Sequence, residues 1–220
     1  FDADGLRVYS STGFVLNEEI QLKKVGEALN RNGYVKFDIS SLAGDNDFTS
    51  IELDLTMVLR QYSSGNPKYA TVSIYGCAPN WEENELTFST QPVMFSRITQ
   101  LTDVTNEKIT RSYPVTDYVR QVLATGVTEV AFVILDETPE MGLHIKLASK
   151  ESGVNAPRLS VYYGTKTDDT KYEGLLDVAK PEESKKGLDS ILGFTSVTSS
   201  SIEVLEDTYV QGGADSNVNF

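Results

Sequence analysis

Few residues in this chain have the types and spacing that chemistry requires. The single histidine, His144, sits in Leu143-His144-Ile145-Lys146 between apolar strand positions. No serine or cysteine motif accompanies it, so it reads as structural rather than as a general base. Adjacent acids occur at Glu18-Glu19, Glu82-Glu83 and Asp168-Asp169. Neighbours on a strand or turn point apart, and no spacing suggests the facing carboxylates of a glycosidase. Asp45-Asn46-Asp47, and Asp2 with Asp4, offer hard oxygen ligands. Both lack the alternating ligands and terminal glutamate of a calcium loop, and Asx turns account for them as well. Asp45 and Asp47 are the metal candidates, a structural calcium is the ion they suggest, and no other cofactor is expected. Cys77 is the only cysteine, which leaves no intrachain disulfide and reads as a buried thiol. The remaining set is Arg60, Gln61, Tyr62, Lys68 and Tyr69 around one expected turn. Its rings can stack on a sugar face and its cations can pair with carboxylates. A merely decorated hairpin is the competing explanation.

The elements that must carry these residues are strands. The chain has 220 residues, 11 Tyr and 9 Phe among them, with Val, Ile and Thr abundant, a composition that favours sheet. Apolar runs are short and punctuated by turn residues, which predicts one jelly-roll-like antiparallel β-sandwich. Strands are expected at Leu6–Tyr9, Glu19–Lys23, Gly33–Ile39, Val72–Ala78, Val127–Leu135, Leu143–Leu147 and Arg158–Tyr163. The clearest alternation is Ile51, Leu53, Leu55, Met57 and Leu59, a period of two that turns one face to the core. One short helix is expected from Thr116 as N-cap to Gly126, burying Val119, Val122 and Leu123. The net charge of −13 argues against nucleic acid or an anionic membrane as partner. No apolar run is long enough to span a bilayer. The opening at Phe1 without Met or a signal sequence is what a processed or excerpted segment would show.

Composition divides the chain into a sandwich over residues 1–164, a linker with a short helix over 165–201, and a terminal strand over 202–220. Pro181 would start the linker helix, with Leu188, Ile191 and Leu192 on one face. Thr195–Ser201, nearly all Ser and Thr, has a linker's composition.

Four stretches in order resemble the DNRLRE domain, a jelly-roll family classed among carbohydrate-binding modules. They are Asn30–Leu42, Trp81–Phe88 closing on Gln91-Pro92, Val115–Val119, and Ala148–Glu151 with Asn155–Val161. The resemblance implies binding of an acidic polysaccharide such as alginate, and a packing role for Trp81 at a loop base. The opening piece of that family is missing from the front of the chain. It stands at the far end, as Asp207-Thr208-Tyr209-Val210-Gln211-Gly212-Gly213 and Asn219-Phe220, while Asp2–Val8 supplies what should follow it.

A sandwich without its first strand leaves an open edge. The resulting expectation is head-to-tail strand donation between copies. Ile202, Val204, Asp207, Tyr209 and Val210 would then lie against a neighbour. Its competitor is a tail that folds back on its own domain. Functionally, the chain reads as a non-catalytic extracellular or cell-surface module, either a repeating unit of a filament or tandem surface protein, or an autonomous carbohydrate-binding module. The expected partners are other copies of the chain and polysaccharide.

Overall fold

A computed structural model describes residues 9–10, 13–14, 19–24, 30–45, 47–60, 69–139, 144–166 and 194–211. Thirteen strands and one helix are described. The strands are β1 (Tyr9–Ser10), β2 (Gly13–Phe14), β3 (Glu19–Lys23), β4 (Arg31–Asp38), β5 (Phe48–Arg60), β6 (Ala70–Cys77), β7 (Met94–Val104), β8 (Ile109–Pro114), β9 (Glu129–Asp136), β10 (His144–Ala148), β11 (Arg158–Lys166), β12 (Phe194–Glu203) and β13 (Glu206–Gln211). The helix α1 spans Thr116–Ala124. β1 and β2 form a separate two-stranded pair, and the other eleven strands form one curled antiparallel sheet.

The curl makes a sandwich of two halves. In the first, β5 pairs with β11 and then β10 along one side and with β8 along the other, while β12 flanks β11 and β3 flanks β10. In the second, the order is β13, β4, β9, β6 and β7. A single register contact, Lys23 opposite Arg31, links the halves. Their inner faces share one apolar core in which the alternating set of β5 meets Val35, Phe37, Phe132 and Ile74. Ile51, Leu53, Leu55, Met57 and Leu59 are all buried, as their period requires.

The helix buries Val119 and packs Val122 and Leu123 on the core, and Gly126 follows it at φ +79°. Thr116 does not cap it. Its hydroxyl bonds both ways to Ile51 of β5, at 2.9 Å to the N–H and 3.3 Å to the carbonyl, and Val115 takes the cap position. A hydroxyl within reach of an unpaired strand group satisfies that group instead.

A second, smaller cluster lies on the outer face of the second half, where Trp81 and Leu86 cover Tyr34, Cys77, Ala131, Val133 and Val210. Trp81 meets Tyr34 edge-on with centroids 6.1 Å apart, the packing role that the motif implied. Burial pushes the Cys77 thiol up to about 12, so it is an inert core group.

The Ser/Thr tract departs from its linker composition. β12 takes in Phe194–Glu203 and pairs residue by residue with β11. Its partner strand supplies the apolar face, so hydroxyl side chains suffice for an edge whose outer residues Thr198–Ser201 are exposed. The helix expected after Pro181 and the strand expected at Leu6–Val8 lie outside the described residues.

Candidate functional site

The outer face of the first half is crossed by an open groove of about 420 Å³. Its floor is the outward side of β5, where Thr56 and Val58 alternate with the core residues on either side of them. Lys146 of β10 stands opposite Val58. On the other side of β5, Ile109 stands opposite Met57 and Lys108 precedes it. Both lysines line the groove, one from β10 and one from the turn that leads into β8. With strands spaced roughly 4.8 Å apart, the two lysine backbones are about 10 Å from each other, comparable with the length of a disaccharide.

Asn106, from the turn before β8, adds an amide to the rim, and Asn155 and Ser152 add polar groups from the 3-10 turn Lys150–Asn155. Lys146 Nζ is 3.0 Å from Glu19 Oε2, and that pair is partly hidden from solvent. Lys108 is exposed and makes no ion pair among the described residues. Glu151 accepts the Ser149 hydroxyl at 2.9 Å. The groove thus offers one free cation, one cation held in place by a carboxylate, and amides that can donate and accept at once.

The expected sugar contacts are only partly visible. Arg60 closes β5 opposite His144, two residues beyond Val58 on the strand that floors the groove. Tyr69 precedes β6 and is about half exposed. Gln61, Tyr62 and Lys68 lie outside the described residues. Lys108, Lys146, Asn106 and Asn155 were missed by sequence reasoning. No local pattern marks them, because three separate elements, the turn before β8, β10 and the 3-10 turn, bring them together. His144 is a buried strand residue.

Asp45 is committed to the fold. Its Oδ1 accepts the Asp47 N–H at 2.9 Å and its Oδ2 accepts the Tyr163 hydroxyl at 2.9 Å. These two bonds make the segment an Asx turn tied to β11, and among the described residues no group of three metal-type ligands gathers.

The terminal strand corrects the donation expectation. β13 pairs with β4 of its own chain, Asp207 opposite Val35, Tyr209 opposite Gly33 and Val210 opposite Asn32. Ile202 pairs with Leu159 through β12, and both Ile202 and Val204 pack on the core. The edge of β4 is therefore filled from the same polypeptide. Asp207 is buried and its Oδ2 accepts the Lys150 N–H at 2.6 Å. Burial, reinforced by Glu151, pushes its carboxyl up to about 8.

An antiparallel sandwich with an open polar groove across one sheet face is the build of a ligand-binding module. The chain belongs to carbohydrate-binding module family 96, whose family model matches residues 7–163. That is the class the four motifs implied, here under the family-96 description. A search of curated proteins returns no match. Modules of this kind bind carbohydrate and are not catalytic by themselves. The match stops within β11, so β12 and β13 complete the sandwich from outside the matched residues. Among the described residues no helix is long and apolar enough to cross a membrane.

Proposed function

We propose that the chain is a non-catalytic extracellular module that holds an acidic polysaccharide in the groove across β10, β5 and β8. The observation that carries this reading is the pair of lysines, Lys108 and Lys146, flanking one strand of a carbohydrate-binding-module sandwich. Two lysines whose backbones lie about a disaccharide apart suit the carboxylates on alternate residues of a polyuronate, and the Asn106 and Asn155 amides suit its hydroxyls. The overall charge of −13 weakens long-range attraction, so binding relies on these short-range contacts and falls with added salt.

Affinity electrophoresis and calorimetry against alginate test the reading. Lys108→Ala with Lys146→Ala should weaken binding at least tenfold while leaving the melting temperature within a few degrees. Unchanged alginate affinity in that double variant, or a wild-type chain indifferent to alginate, would sink it. Head-to-tail strand donation forms no part of the proposal, because β13 already occupies the edge of β4.

A further inference from the structure

The outer face of the second half carries a different set of groups. Register places Tyr75 between Val133 and Arg97, and Ser73 between Leu135 and Gln100. Glu137 follows β9 and its carboxylate is the hub of this face. Ser73 Oγ donates to Oε2 at 2.5 Å, Gln100 Nε2 at 3.0 Å and Arg97 at 3.4 Å, while the Tyr75 hydroxyl donates to Oε1 at 2.7 Å. Gln100 also donates to Ser73 Oγ at 2.9 Å.

We infer that this face, built on Tyr75, Arg97, Gln100 and Glu137, is a second glycan site, specific for neutral sugars. The polar heads are oriented by one another before any ligand arrives, which lowers the ordering cost of binding. Half of the Arg97 side chain is exposed, leaving guanidinium donors for hydroxyls. The half-buried Tyr75 and Leu135 offer apolar surface beside them. At the start of β7 and just before it, Val93, Met94 and Phe95 are all exposed, and Met94 stands opposite Cys77 on the same sheet. Apolar surface adjoining a fixed array of donors and acceptors matches a pyranose, which has C–H faces and hydroxyl edges.

Charge selects the class of sugar. Glu137 and Arg97 balance, and the carboxylate lies at the centre. Burial alone would raise its pKa, but the Ser73 and Tyr75 hydrogen bonds and the Arg97 charge outweigh burial and hold it below its usual range. An anion fixed at the hub repels uronates and accepts hydroxyls. The inference rests on the module binding glycans, yet it concerns the other half of the sheet and a different charge class of sugar from the groove. Two such faces would let one module bridge an acidic and a neutral polysaccharide.

The test uses the full chain in affinity gels containing a soluble β-glucan, a xylan, a galactomannan or alginate. Wild type should be retarded by at least one neutral polymer, and that retardation should persist at high salt. Arg97→Ala with Gln100→Ala, both at exposed positions, should lose at least tenfold on the neutral polymer and keep alginate binding. Lys108→Ala with Lys146→Ala should show the reverse. Indifference of the wild type to all three neutral polymers overturns the inference, as does unchanged neutral binding in the Arg97 and Gln100 variant. Loss of alginate binding alone bears only on the groove.

Discussion

Lys36 and Glu206 form a side-chain bond between β4 and β13, with Nζ 3.1 Å from Oε2 and the lysine side chain only 3% exposed. The same Nζ donates to the Trp81 carbonyl at 2.6 Å and lies 5.0 Å from the centre of the Trp81 ring. One buried ammonium therefore joins the terminal strand, the central strand and the covering loop. Lys36→Met keeps the volume but leaves the Trp81 carbonyl without this donor and Glu206 Oε2 without its cation, with the Glu83 N–H at 3.1 Å still donating to it. It should cost about 2 kcal/mol, less than a fully buried pair because Glu206 is partly solvated. Urea unfolding is the measure, and a variant within about 0.5 kcal/mol of wild type would contradict this role.

Asp207 makes the docking of β13 depend on pH. Its folded pKa of about 8 lies above the ordinary carboxyl value, first through burial and then through Glu151 and Glu83, against the Lys150 N–H and charge. The folded state thus binds the proton more tightly than the unfolded one. Its contribution is fully present below about pH 4 and is lost as pH rises through about 8. Wild type should lose on the order of 4 kcal/mol more stability than Asp207→Asn between pH 5 and pH 9. Parallel curves for the two proteins would show that the group titrates normally.

Gly76 has no room for a side chain, since a methyl there would overlap the Tyr118 ring. That ring packs edge-on to Phe132 at 5.5 Å, and its hydroxyl donates toward the Ala131 carbonyl at 3.3 Å. Gly76→Ala should destabilise by about 1–3 kcal/mol through overpacking. In a Tyr118→Leu background the penalty should shrink, a coupling that a double-mutant cycle reads directly. Equal penalties in both backgrounds would rule out the steric cause.

A chain ending at residue 193 would lack β12 and β13. The backbone of β4 would then lose its partner along Arg31–Lys36, and Val210 would leave the cluster under Trp81. An unpaired edge of that length invites association. The truncated chain should melt lower by ten degrees or more and run as oligomers on gel filtration. A peptide of residues 194–220 added in trans should restore both properties. A monomer with an unaltered melting temperature would remove the closing role of these strands.

The fold was legible where one face alone is buried. β5 shows its period openly because Ile51 to Leu59 face a single core. β7 and β8 gave no such signal. β7 is an edge strand whose register shifts near Ile74 and Tyr75, and its residues from Met94 to Arg97 are exposed, so its apolar residues follow no fixed spacing. The Ser/Thr tract misled for a related reason, since an edge strand needs few apolar side chains of its own.

The site was less legible than the fold. Arg60 is on the strand that floors the groove, but Lys108 and Lys146 are joined only by register across β5. Glu137 likewise meets Arg97 and Ser73 only through the pairing of β9, β6 and β7. Long-range register is not written in local sequence. The terminal piece of the motif, Asp207 to Val210, does form a strand, and it pairs with β4 of the same chain.

That pairing sets a timetable for folding. β4 is synthesised well before residues 206–211, the segment that pairs with it. Until they arrive, a growing chain carries a ready-made template for foreign strands beside Gly33 and Val35. A chain of this design benefits from holdase protection until β13 is made, the interval in which misassembly is most damaging.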